Sequence, residues 1–522
     1  MARKHKTIFS IVKVAISNIL TMLSGIFVGL ILPRIIGVTD YGYYKTFSLY
    51  ISYVGLFHFG IEDGIYLKYG GKDFSELDAR KFRFYTLFLV IIESSISLIT
   101  AAVSCIWLKS DVRFIFLFVA IYLFTTNIAN YYQFISQITE RFTELTVVGI
   151  IRSLLTILSV VVLWLLYHFS LYTIDYKIYI IFVVAISAAI LTAYIIIYRK
   201  LTFGKCISWK EGIKDIGYFI KIGLPLMVAN LCSTLLLTID RQFVNILFDT
   251  DTYAVYAFAY NLLSLITTAT SAISVVLFPI LNRLDSEQLS ANYSKMTAVI
   301  IIFLSACLLV YFPICPFIQW FLPQYSGSLV IFRIILPGLI GTSAVTIIMH
   351  NYYKVLGRNL RFFIISVIIL ALAVVADLVA YLIFRTTLSI SIVSIFIILV
   401  WYIVTEFFFI KNFRVPWVRN LLFMLCCMGA FYGITCIPNI HKISFAAIGF
   451  AAYFVAFAAL FTLFYFKEIR AFIQNRKNRK AASVAESAEG DAQVSLAEPQ
   501  TDGDSGALTD GDDEVIQPDK DK

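Results

Sequence analysis

At fourteen places the chain carries a predominantly apolar run close to the ~20 residues needed to cross the hydrocarbon core of a bilayer, with short loops between the runs. Backbone N–H and C=O groups find no water inside lipid, so such runs must close their own hydrogen bonds as α-helices. The pattern predicts an all-α polytopic membrane protein with about 14 transmembrane helices, at residues 9–32, 41–62, 82–107, 112–138, 143–167, 176–199, 218–247, 253–281, 293–322, 327–352, 360–385, 387–411, 417–436 and 444–466. Hydrophobic residues fill 60% of the 522 positions and charged ones only 14%, a balance that excludes a water-soluble globular protein.

Lysine and arginine collect in alternate loops: Lys4 and Lys6 at the start, then Lys68 to Arg83, Arg199 to Lys214, Lys354 to Arg361, Lys411 to Arg419 and Lys467 to Lys480. Basic loops stay on the cytoplasmic side. The reading is therefore that the N and C termini are cytoplasmic. From Ala481 to Lys522 the tail has a net charge of −10, which leaves +19 on residues 1–480 of a chain whose net charge is +9. Most of that excess is ordinary positive-inside topology, and the rest favours anionic partners such as membrane lipids or phosphorylated substrates.

The expected organisation is an N-terminal six-helix lobe over 1–200, a cytoplasmic interfacial linker over 201–217 and a C-terminal six-helix lobe over 218–411. Two additional transmembrane helices follow over 412–466, and 467–522 form a basic, then acidic, disordered cytoplasmic tail. At an offset of 212 residues Asn18 meets Asn230, Tyr41 meets Tyr253 and Tyr44 meets Tyr256, as a six-helix repeat would require. The linker contains Trp209, Ile213 and Ile216 among lysines, a pattern suited either to a helix lying in the interface or to a plain basic loop.

Ionisable residues inside the apolar runs carry the functional signal, because each costs about 2.5–3.5 kcal/mol at mid-bilayer on insertion scales. Arg152, Arg241 and Arg333 lie in three different runs and form a candidate cationic substrate-binding cavity, since a guanidinium matches phosphate oxygens in a bidentate way. The alternative is intramembrane ion pairing, such as Arg241 with Asp377 or Arg333 with Asp240. Glu93, Asp240, Asp377 and Glu406 are candidates for ion coupling or charge balance. Lys13, Glu62 and Asp63 are placed at the cytoplasmic mouth, with Glu62 and Asp63 capping a gate or pairing with Lys68.

Polar residues recur at three- and four-residue steps on several helices, the spacing that aligns side chains on one face. Asn130, Gln133, Gln137, Asn230 and Asn261 are the candidate polar cavity lining, suited to a polyhydroxylated substrate; helix packing through polar hydrogen bonds is the competing reading. Asp249, Thr250 and Asp251 make a DxD, a pattern found in metal-binding loops of membrane glycosyltransferases, but the loops leave no room for an external catalytic domain. The eight cysteines have no metal-ligand spacing, and no phosphate-cradling loop is present. No cofactor, metal or nucleic acid is expected. Any active transport would draw on a H+ or Na+ gradient, the membrane potential or the supply of substrate.

Pro33, Gly37, Asp40, Tyr41, Gly42 and Tyr44 after the first helix; Phe59, Gly60 and Ile61; Gly223 and Pro225; Asp240, Arg241 and Tyr253; and Gly357 with Arg358 carry a family resemblance. Over about residues 1–466 the chain resembles the multidrug/oligosaccharidyl-lipid/polysaccharide exporter superfamily, specifically the polysaccharide-biosynthesis flippases related to O-antigen translocases. The resemblance implies a flippase rather than an enzyme, moving undecaprenyl-pyrophosphate-linked oligosaccharide from the cytoplasmic to the outer leaflet by alternating access. It also implies a bacterial cytoplasmic (inner) membrane location and a monomer working beside a polymerase and other polysaccharide-assembly proteins. An ion-coupled drug antiporter of the same fold and a membrane polymerase or glycosyltransferase are the competing functions.

Overall fold

The computed structural model describes residues 17, 19–170, 173–281, 284–413, 417–436, 442–466 and 470. Among them the chain is helical almost throughout, with no β-strand. In chain order the helices are α1 (Ile19–Ile35), α2 (Val38–Ile51), α3 (Ile61–Tyr69), α4 (Ala79–Trp107), α5 (Ser110–Ile138), α6 (Phe142–His168), α7 (Tyr176–Ile197), α8 (Trp209–Leu236) and α9 (Ile239–Leu247). They continue as α10 (Thr250–Leu281), α11 (Ser286–Phe321), α12 (Ser328–Ile335), α13 (Gly338–Val355), α14 (Asn359–Phe384), α15 (Thr387–Phe413), α16 (Trp417–Thr435) and α17 (Ile443–Phe466). Ten of these are long and apolar enough to cross a membrane, or eleven when α12 and α13, bent by 46°, count as one span. Reaching fourteen requires counting α1, the broken stretch 38–69 and α10 as well.

Three runs expected to be single helices are broken. The second is interrupted after Ile51 by a 3-10 turn at Val54–His58 and by Phe59 and Gly60, both left-handed at φ 51° and 76°. The seventh breaks at Leu237 and Thr238, and the tenth at Leu336 and Pro337. Hydropathy is blind to these breaks because each places only one or two less apolar residues, such as Gly60, Thr238 or Pro337, inside a long apolar run. Broken helices expose free backbone groups, tolerated at membrane depth only where protein or a cavity covers them.

The linker reading changes too. Residues 209–217 are not a separate interfacial element but the first turns of α8, capped by Ser208, whose hydroxyl accepts from the Glu211 N–H at 3.4 Å. These turns also pack on α4: the Trp209 ring meets Phe84 at 5.1 Å, a Cβ on Gly212 would strike that same Phe84, and Ile216 is buried, while Trp209 and Ile213 stay exposed.

Within the N-terminal half, a tyrosine-rich core joins α3, α4, α5 and α7. Tyr132 and Tyr198 stack at 5.7 Å, Tyr198 shares a hydrogen bond with Ser136 at 2.7 Å, and Thr125 with Ser187 at 2.7 Å. Lipid supplies no hydrophobic drive between helices, so close packing and such polar contacts, each worth about 0.6 kcal/mol, hold the bundle.

Candidate functional site

The two halves meet along a seam made by the second run against the seventh and eighth. Near the start of α2 and α10, Gly42 lies so close to Thr250 that a Cβ would sit 2.5 Å from the Thr250 carbonyl oxygen, and the Thr39 hydroxyl donates to Asp251 at 2.6 Å. Further along, Asn245 donates to Thr46 at 2.7 Å, Gln242 to the Tyr50 hydroxyl at 3.0 Å, and the Tyr53 hydroxyl to Thr238 at 2.9 Å. At the opposite, basic end α3 packs on α8 through glycine: a Cβ on Gly223 would fall 2.0 Å from the Gly60 carbonyl oxygen, and one on Gly64 would fall 2.3 Å from that of Phe219. Lys68 and Lys81 reach Asp215 at 3.6 and 3.4 Å there, and the Tyr85 hydroxyl donates to Asp215 at 2.6 Å. The seam is thus closed at both ends.

Between the ends lie two cations. Lys45, half-buried on α2, donates to Asn261 of α10 at 3.3 Å and sits 5.2 and 5.4 Å from the rings of Tyr41 and Tyr44. Arg241, on α9, covers the Tyr260 ring at 4.6 Å and donates to the Leu237 carbonyl at 2.8 Å, while its Nε is buried without an acceptor. Lys45 and Arg241 are within electrostatic reach of each other. Among the described residues neither has a carboxylate within 4 Å. Asn261 ties the arrangement to α1 by donating to the Gly29 carbonyl at 2.8 Å.

A cavity of about 360 Å³ opens beside Arg241 in the C-terminal half, lined by Asp240, Tyr260, Ser264, Thr342, Thr346, Asp377 and Ser394, among others. The helix break at Leu237 and Thr238 aims the start of α9 at it, with Asp240 in the first turn. Asp240 accepts from the hydroxyls of Tyr256, at 2.8 Å, and Tyr260. Asp377 is 1% exposed, feels the charge of Asp240, and leaves Oδ1 without a partner. A second cavity, of about 630 Å³, is walled by Phe27, Trp164, Tyr167, His168 and Phe321, with Arg34 stacked 4.4 Å over the Phe321 ring.

Of the residues singled out from the sequence, the structure brings together Arg241, Asp240 and Asp377, and seats Asn261 on the seam. Arg333 lies elsewhere, donating to the Thr435 carbonyl at 3.2 Å, and Arg152 is exposed on α6; neither lines the first cavity. The ion pairs Arg241 with Asp377 and Arg333 with Asp240 do not form. Asn130, Gln133 and Gln137 are half-buried on α5 and Asn230 is exposed on α8, all apart from that cavity. Glu406 accepts from Tyr293 at 2.7 Å within an aromatic cluster of the C-terminal half. Glu62 is buried between the α8-contacting Gly60 and Gly64 and does not pair with Lys68, which turns to Asp215; His58 lies 3.9 Å from Asp63. Lys13 lies outside the described residues.

The DxD resolves into structure. Asp249 caps α10, accepting from the Thr252 N–H at 2.9 Å and its hydroxyl at 2.7 Å, bonds that hold its carboxyl below the usual carboxylate range, while Asp251 ties the seam to Thr39. Lys45 is a seam residue that sequence reading did not single out: it lies four residues inside the expected start of the second run, where a lysine can ordinarily reach the interface, whereas the fold turns it into the seam.

Two halves of broken, membrane-length apolar helices meeting on a seam that holds Lys45 and Arg241 define a multi-pass membrane protein. The sequence matches the polysaccharide biosynthesis protein family over residues 9–285, and the chain belongs to that family. No curated protein matches the sequence significantly. Among solved structures, the fold is similar to a lipid II flippase MurJ in an inward closed conformation, with TM-score 0.65 and 12% identity over 88% of this chain and 100% of that one. It is also similar to an inward-facing multidrug resistance MATE family transporter of the MOP superfamily, with TM-score 0.56 and 14% identity over 78% and 98% of the two chains. A MATE transporter of Vibrio cholerae gives TM-score 0.51 at 13% identity, over 78% and 94%.

Proposed function

We propose that the protein is a flippase that carries undecaprenyl-pyrophosphate-linked oligosaccharide from the cytoplasmic to the outer leaflet of the bacterial cytoplasmic membrane, for cell-surface polysaccharide assembly. The observation that carries this reading is the pair Lys45 and Arg241, two cations within electrostatic reach of one another at the seam with no carboxylate within 4 Å of either. A cation held in low dielectric with no carboxylate in direct contact favours an anionic guest, and a pyrophosphate offers several oxygens to an ammonium and a guanidinium together. The family match to polysaccharide biosynthesis and the MurJ-like fold support the same class of cargo. Aromatic faces around Arg34 suit the apolar sides of sugar rings. In this reading the glycine contact of α3 with α8 is the cytoplasmic gate, the contact of α2 with α10 is the outer one, and the two open alternately.

Deleting the gene tests the direction of transport. Completed lipid-linked oligosaccharide accumulates on the cytoplasmic leaflet if the protein is the flippase; loss of its synthesis would assign an enzyme instead.

Asp240 and Asp377 supply the coupling site in this scheme, binding a proton or sodium ion when the cavity opens to one side and releasing it on the other. Asp377→Asn removes the titratable charge while keeping the shape. In proteoliposomes, its transport is expected to lose dependence on an imposed H+ or Na+ gradient. Dependence equal to that of the parent protein would move coupling elsewhere.

A further inference from the structure

Three polar side chains meet inside the N-terminal half, and none of them lines the Asp240 and Asp377 cavity. Glu62 on α3, Glu93 on α4 and Asn127 on α5 are all at least 99% buried. Asn127 Nδ2 donates to Glu93 Oε2 and to the Val54 carbonyl, each at 3.0 Å, which fixes the amide between α4 and the 3-10 turn. Both oxygens of Glu62, Oε1 of Glu93 and Oδ1 of Asn127 are buried without a hydrogen-bond partner. Glu62 and Glu93 are within electrostatic reach of each other. Among the described residues neither has a Lys, Arg or His within 4 Å, the one nearby histidine, His58, lying against Asp63.

Two carboxylates that repel each other away from water need two positive charges to neutralise them, which one proton and one monovalent cation together supply. The donors on offer are all oxygen, the preference of hard cations. No group of three or more His, Cys, Asp or Glu side chains among the described residues is arranged to hold a metal ion, so the set is too lightly charged for a divalent cage. We propose that Glu62, Glu93 and Asn127 form a binding site for a sodium-like monovalent cation between α3, α4 and α5. Its position gives it a consequence for the seam. Gly60 and Gly64, which press α3 against α8, flank Glu62 in the same short helix and its entrance, so a cation drawing Glu62 toward α4 and α5 sets the placement of the surface that meets α8. The site stands without the flippase reading, and its test is a binding measurement that transport failure leaves untouched.

Equilibrium binding of radioactive sodium to the full chain in lipid nanodiscs, made with Asp377→Asn to silence the C-terminal candidate site, tests it directly. Saturable sodium binding is expected to persist in that background, and Glu62→Gln or Glu93→Gln added to it is expected to weaken the affinity about tenfold or more. Loss of all saturable sodium binding in Asp377→Asn alone overturns the site, and that arm changes nothing in the N-terminal half. Undiminished affinity in both glutamine variants overturns it equally.

Discussion

Arg241→Ala and Lys45→Ala each stop export of lipid-linked oligosaccharide while the protein still inserts and folds. Truncating one member of a buried, charge-assisted contact costs about 2–5 kcal/mol, a roughly 30-fold or greater fall in transport. Arg241→Lys keeps the charge and loses the fork, so it retains a partial rate. Arg333→Ala is the control: its guanidinium donates to the Thr435 carbonyl, outside the cavity, and its removal costs about 1 kcal/mol of stability with export near the parent level. The measurement is accumulation of lipid-linked oligosaccharide in cells complemented with each variant at matched membrane abundance. Full export by both Arg241→Ala and Lys45→Ala would remove the seam cations from the mechanism.

Gly223→Val holds the basic end of the seam open and abolishes transport. A Cβ at this position would lie 2.0 Å from the Gly60 carbonyl oxygen and 2.4 Å from the Gly64 nitrogen, backbone atoms that no rotamer change can move aside. Overpacking of this kind costs about 1–3 kcal/mol, and here it falls only on the closed arrangement, so the closed population drops roughly 5- to 150-fold. Spin labels on α3 and α8 report the outcome as a longer distance in the variant than in the parent. Gly42→Val, with its Cβ 2.5 Å from the Thr250 carbonyl oxygen, opens the other end and leaves the α3 to α8 distance short. A variant that transports at the parent rate with an unchanged distance would show that the glycine contact is no gate.

Both predictions rest on residues whose importance was unequally visible in the sequence. Arg241, Asp240 and Asp377 stand out because a charge in mid-membrane is costly wherever it lies, and the structure gathers the three around one cavity. Arg152 and Arg333 carry the same signal, yet the structure sends them elsewhere, since cost alone does not say which way a side chain faces. Lys45 gave little signal, as lysines near helix ends ordinarily reach for the interface. Glu62 was legible as a residue near the end of the second run, but its burial beside the left-handed turn at Phe59 and Gly60 was not.

Composition and the lengths of its apolar runs by themselves determined that this protein is helical and crosses the membrane many times, because lipid permits few backbone solutions, while the motif residues from Pro33 to Arg358 carried its resemblance to the polysaccharide-biosynthesis family to which it belongs. Only the tertiary structure decided where those helices break, which cations share a seam and which carboxylates lie unpaired beside one another. Breaks, pairing and facing depend on contacts between residues far apart in the chain, such as Gly60 with Gly223 and Lys45 with Asn261, and local hydropathy carries no record of them.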